Sequence, residues 1–195
     1  ITHSEMNASA TEPVKFLQIW VLTDAQGHTP RYNQLELAPA RRNELDEVAP
    51  EGRGDEHVGW IHQDAWFSTL DLDKDHTVEY RMKTPGHGAY VFVIEGNVKL
   101  ADEELGPRDG VGITDTDGFL IKGDTDARVL IIEGDAVKRV RKESLQHVVA
   151  GFFIAGMRGA GIPCAGRAFF AECFRNRSGT ALFFVSLFVP QGKNM

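Results

Sequence analysis

HTVEYRMKTPGHGAYVFVIEGNVKL, residues 76–100, contains two different kinds of strand. In the first, Val78, Tyr80 and Met82 alternate with polar neighbours, the period-two pattern of a strand with one buried face. In the second, AYVFVIEG at 89–96, both faces are apolar, so it is expected to lie centrally in a sheet. The same grammar extends outward. Upstream are VKFLQIWVL (14–22), RYNQLEL (31–37) and VGWIHQDAWFSTLDL (58–72); downstream are NVKL (97–100), GVGIT (110–114), GFLIK (118–122) and ARVLIIE (127–133). Gly- and Asp-rich turns recur roughly every eight to twelve residues, which predicts an antiparallel sandwich or barrel. PARRNELDEV (39–48), with Pro in its first turn, is the one short helix expected in this all-β body.

The period-two pattern stops at Asp135. Of the 195 residues, those up to Asp135 carry 12 Lys and Arg against 26 Asp and Glu, whereas the last sixty carry 9 against 2. Eight of the twelve Phe and both cysteines, Cys164 and Cys173, also follow that boundary. There Leu145, Val148, Val149, Phe152 and Phe153 form an apolar helical stripe, AFFAECF (168–174) reads as a short helix, and TALFFVSLFVP (180–190) as a strand. A basic, Phe-rich amphipathic segment can read as a membrane-surface binder. Alternatively, residues 136–195 are foreign to the fold, and the coincidence of so many changes at one place favours that. The net charge of −7 argues against nucleic-acid binding, and VVAGFFIAGM (148–157) is too short to span a bilayer. A cytoplasmic monomer is expected.

The chain opens ITHSEMN. In an extended segment His3 and Glu5 share a face, and a neutral imidazole beside a carboxylate is half of a common divalent-metal site.

HSEMNASATEPVKFLQIWV, PRYNQ, WIHQDAWFS and YVFVIEG occur in that order, and with them the chain from about Thr2 to Glu133 resembles the pirin family of bicupins. The resemblance implies two tandem cupin barrels (double-stranded β-helices), the first holding iron or a similar divalent metal. Its ligands would be an upstream His-x-His pair followed by a His and a Glu, which here match His3 and Glu5. Residues 1–38 are then expected to be the remnant of the first cupin, 39–135 the second cupin, and 136–195 a non-family tail. Some pirin-like proteins are similar to quercetin 2,3-dioxygenases, which implies a flavonol-like aromatic substrate and a role for Glu5 as base. Pirin itself resembles a transcriptional co-regulator, which implies a protein partner instead. The acidic first 135 residues would suit a basic one. With two ligands of four, the chain as it stands is expected to bind metal weakly and to be inactive.

The second cupin is expected to be free of metal. Its Gly-flanked strand offers only His87, position 89 is Ala, and GPRDGVGITDTDGF has no histidine. His87 is expected to shape a turn between glycines. His62 is expected to be a strand histidine bonded to Asp64, or else a polar group in a pocket between barrels. Trp20, Trp60 and Trp66 are expected to be core or interface aromatics.

Overall fold

The structure, a computed structural model, describes residues 11, 15–36, 41–54, 58–135, 168–175 and 181–189, and these contain no helix. The strands are β1 (Lys15–Leu22), β2 (Tyr32–Glu36), β3 (Leu45–Pro50), β4 (Trp60–Ile61), β5 (Ala65–Leu72), β6 (Thr77–Arg81), β7 (His87–Glu95), β8 (Val98–Leu100), β9 (Glu103–Leu105), β10 (Gly110–Ile113), β11 (Gly118–Gly123), β12 (Ala127–Asp135), β13 (Ala168–Arg175) and β14 (Ala181–Val189). They form three sheets, ordered β1-β14-β13-β2, β10-β7-β12-β5-β3-β4 and β6-β11-β8-β9. The chain divides into two compact units. One draws on residues 1–39, 61–63 and 146–195, the other on 40–60 and 64–145.

The second unit is a cupin barrel. Its six-stranded sheet contributes Leu70, Leu72, Ala89, Val91, Val93, Ala127, Val129 and Ile131 to one core, and its four-stranded sheet contributes Tyr80, Val98, Leu100 and Ile121. Within each of β5, β7 and β12 these residues lie two apart, as side chains on one face of a strand must. AYVFVIEG sits in β7 with β12 and β10 on either side, so its two apolar faces match a central position. The turn into β8 depends on Gly96, at φ +77°, where a Cβ would collide with the Asp126 carbonyl.

The helix expected over residues 39–48 is not formed. Residues 41–43 make a turn that leads into β3, which pairs with β5 from Leu45 opposite Leu70 to Val48 opposite Phe67. Asn43 adopts φ 63°, incompatible with a continuing right-handed helix. Its side chain donates to Asp73 Oδ2 at 2.8 Å and accepts from the Asp73 amide at 2.9 Å, fixing the turn to the end of β5. Local helix propensity yields to strand pairing.

In the first unit, β1 pairs along its whole length with β14, from Lys15 opposite Val189 to Leu22 opposite Leu182. The AFFAECF segment, expected as a helix, is strand β13, and it pairs with β14 on one side and β2 on the other. Aromatic-rich segments take a strand once both neighbours supply partners. TALFFVSLFVP does contain a strand, β14. Phe16, Leu17, Ile19 and Val21 of β1 are buried. The stripe from Leu145 to Phe153 lies outside the described residues.

Candidate functional site

His3 and Glu5 also lie outside the described residues. Among the described ones, polar chemistry collects at one end of the barrel interior. Cross-strand register orders the inward positions in layers. Leu45, Leu70, Val129 and Val93 form one layer, then Glu47, Ser68, Ile131 and Val91, then Trp66, Glu133 and Ala89, and last His87 opposite Asp135. The alternation that builds an apolar core in one direction thus delivers the Glu47 and Glu133 carboxylates, a hydroxyl, an indole and an imidazole in the other, with Asp135 exposed at the edge.

Glu133, fully buried, is the centre of this end. A buried carboxylate costs several kcal/mol unless its lone pairs are met, on the order of 3–5 when a partner is missing. Here they are met. Tyr80 donates its hydroxyl to Oε2 at 2.8 Å, the Lys83 amide donates to both oxygens at 2.8 and 2.9 Å, and the Thr84 amide donates to Oε1 at 2.9 Å. Burial pushes the Tyr80 hydroxyl far above its ordinary pKa, and the bonded, charged Glu133 pushes it further, so Tyr80 stays a neutral donor. The carboxylate ties β12 to the turn after β6.

Lys83 pairs its ammonium with Glu47, and the same Nζ lies 5.9 Å from the Trp66 ring centroid and 6.0 Å from that of Tyr80. Aromatic faces and a carboxylate together hold one cation at the rim.

His87 does close a turn, since its amide donates to the Thr84 carbonyl at 3.2 Å, but its side chain was not anticipated. It is the first residue of β7 and buried, with Nε2 3.4 Å from Asp64 Oδ2 and Nδ1 3.4 Å from Glu133 Oε1. The Nδ1 contact lacks hydrogen-bond geometry, so that nitrogen is buried without a partner, as are Trp66 Nε1 and Ser68 Oγ. His62 is buried in a bend between β4 and β5 rather than in a strand, and its ring stacks on His28 with centroids 3.9 Å apart. His28 in turn meets Asp24 Oδ1 at 2.7 Å. Glu133 belongs to no motif in the sequence, although continuing the series Ala127, Val129, Ile131 by one step places its carboxylate inward.

Residues 48–133, which carry most of this barrel, match the quercetinase C-terminal cupin domain. In these residues the chain carries a cupin domain of the pirin family. The chain is 29% identical over 133 residues to a quercetin 2,3-dioxygenase of Escherichia coli, covering 68% of this chain and 56% of the relative. It is 35% identical over 142 residues to a putative quercetin 2,3-dioxygenase of Mycobacterium bovis, covering 68% and 54%. The bacterial pirin YhhW of Escherichia coli, solved in complex with nickel(II), superposes with a TM-score of 0.52 at 25% identity, over 59% of this chain and 48% of that one. The chain therefore spans about half the length of the relatives it matches. Among the described residues no helix is long and apolar enough to cross a membrane.

Proposed function

We propose that this chain is part of a metal-dependent dioxygenase of the quercetinase type, which opens the central ring of a flavonol. The alignment with the Escherichia coli quercetin 2,3-dioxygenase over 133 residues carries the reading. The HSE-x-N start of the chain adds the ligand types such a site needs. His3 and Glu5 offer one imidazole and one carboxylate, a donor set suited to iron(II) and neighbouring divalent metals. Bound there, the metal would supply Lewis acidity and an open position for an oxygen ligand. The Glu5 carboxylate would take the proton of a flavonol hydroxyl, and His3 would orient the site from the same strand face. Two donors fall short of the three or four that tight binding uses, so in this proposal the chain alone binds metal weakly and does not turn over substrate. Residues 1–38 would then be a remnant of a first cupin, and the described barrel the second of a pair.

The test compares this chain with one extended upstream by a segment carrying a His-x-His pair. The extended chain should hold about one metal per molecule and consume quercetin. Glu5→Gln in it should loosen the metal and slow turnover. Tight stoichiometric metal in the present chain, or no quercetin loss by the extended chain with iron, manganese, nickel or copper, would overturn the reading. A second reading is a cytoplasmic, monomeric co-regulator that binds a basic protein partner. It is favoured by the charge of the first 135 residues, with 26 acidic against 12 basic side chains.

A further inference from the structure

Among the described strands of the barrel unit, β4, β6, β9 and β10 lie at the edge of a sheet. Three of these are blunted against further pairing. β4 is two residues long. β9 has three, and its Glu103 and Glu104 would repel a second copy of themselves. The chain enters β10 through a bulge, since Val93 accepts from the Arg108 amide and donates to the carbonyl of the next residue, Asp109. β6 has none of these devices. Its five residues are regular, include no Pro or Gly, and carry Glu79 and Arg81 with opposite charge. Among the described residues β11 is its one strand partner.

The backbone of β6 faces two ways. At one end the Gly123 amide donates to the His76 carbonyl at 2.9 Å, and at the other the Met82 amide donates to the Asp117 carbonyl at 2.9 Å. Antiparallel bonding alternates by two, so Val78 and Tyr80 also turn their backbone groups toward β11. Thr77, Glu79 and Arg81 turn theirs to the open edge, and their side chains are exposed. Leu120, opposite Glu79 on β11, is 57% exposed on the same face.

A row of unpaired amides and carbonyls is a template for another strand. A two-fold pair of identical chains requires that such an edge complement itself. Antiparallel pairing centred on Glu79 would set two carboxylates against each other. Centred on Tyr80, it sets Glu79 opposite Arg81 of the second copy, twice, and makes those the hydrogen-bonded pairs. The ladder ends there, because Lys83 already gives its amide to Glu133. Within one chain the Glu79–Arg81 contact at 2.9 Å joins two exposed groups, so little holds it against exchange for a cross-strand partner. The second copy's Arg81 lies two strands from Leu120 and can shield it with its apolar stem.

We propose that β6 is a self-association edge, through which two copies of this chain pair antiparallel with Glu79 opposite Arg81 and join their four-stranded sheets into one. The contact is small, so the dimer is weak and concentration-dependent. It rests on neither reading of function, and it replaces the monomer expected from sequence alone.

Sedimentation velocity of the full chain from about 10 μM to about 1 mM should show a monomer–dimer equilibrium. Over the same range, amide exchange followed by NMR should slow at Glu79 and Arg81, whereas Val78 and Tyr80 are protected throughout. Arg81→Glu should weaken the dimer about tenfold. Adding Glu79→Arg to that variant should restore the parent affinity to within about threefold, with thermal melts confirming that both fold. A chain that stays monomeric at the highest concentration overturns the proposal. So does association that leaves the Glu79 and Arg81 amides in fast exchange, because the contact then lies elsewhere. A folded double variant that associates no better than Arg81→Glu alone overturns it as well.

Discussion

The two ends of the barrel interior are lined by the same strands, β3, β5, β7 and β12, yet they hold the fold together by different physics. At one end Leu70, Val129 and Val93 lie in register, and each contributes in proportion to the apolar area it removes from water. At the other Glu133 faces Trp66 across the same ladder, and its burial is tolerated only because three donors meet it. The apolar end should fail gradually as methylenes are removed. The polar end should fail in one step when any partner is lost, because each loss leaves another buried group unpaired.

Glu133→Ala tests the polar end most severely. It orphans the Tyr80 hydroxyl and the Lys83 and Thr84 amides together, so urea denaturation should show a loss of about 3–5 kcal/mol. A loss under about 1 kcal/mol would mean that water takes over the carboxylate's contacts, and the contrast between the ends would disappear. At the apolar end Leu70→Ala should cost about 3 kcal/mol, and Leu70→Met no more than about 1.5. Glu133→Gln should be less well tolerated than Leu70→Met, despite its near-identical shape.

A pH arm sharpens the same comparison. Tyr80 is held neutral in the folded barrel well above the pH at which it ionises in the unfolded chain. Its contribution is therefore fully present below about pH 10 and falls as the pH rises further, by up to about 1.4 kcal/mol per unit. Tyr80→Phe should cost about 1 kcal/mol at neutral pH and flatten that alkaline slope. Absorbance near 295 nm should show one of the three tyrosines ionising only as the barrel unfolds.

The smallest effect belongs to the exposed clamp at the foot of β5. The Asn43 side chain, then Arg42, hold the Asp73 carboxyl below its ordinary pKa. A depressed carboxylate stabilises above its unfolded pKa, and that contribution is lost as the pH falls through the folded one. Asn43→Ala should thus lower the melting temperature slightly at pH 7 and by less below about pH 3. An equal difference at both pH values would detach Asn43 from the ionisation of Asp73.

Much of the strand content was legible because burial on one face imposes a period of two, which Val78, Tyr80 and the residues of β7 and β12 display openly. The two misread helices share a cause. PARRNELDEV and AFFAECF have local patterns that suit a helix, while the partners that make them β3 and β13 lie some distance along the chain. β5 begins twenty residues after Leu45, and β2 precedes β13 by more than a hundred. The polar end was hidden for a related reason. Glu133 is matched by the amides of Lys83 and Thr84, fifty residues upstream, and an amide leaves no mark on the residue type. His87 was legible as a turn residue because glycines flank it. Its place one layer beyond Glu133 required the register.

The pairing of Lys15 with Val189 has a consequence for biosynthesis. Every described strand of the cupin barrel, from β3 to β12, exists once Asp135 has left the ribosome. By contrast β1 must wait for β14, a delay on the order of ten seconds at ordinary elongation rates. During that interval Phe16, Leu17, Ile19 and Val21 have no sheet partner from β14 to shelter them. Among the described strands β1 therefore waits longest for its partner, and it is the one most in need of a chaperone.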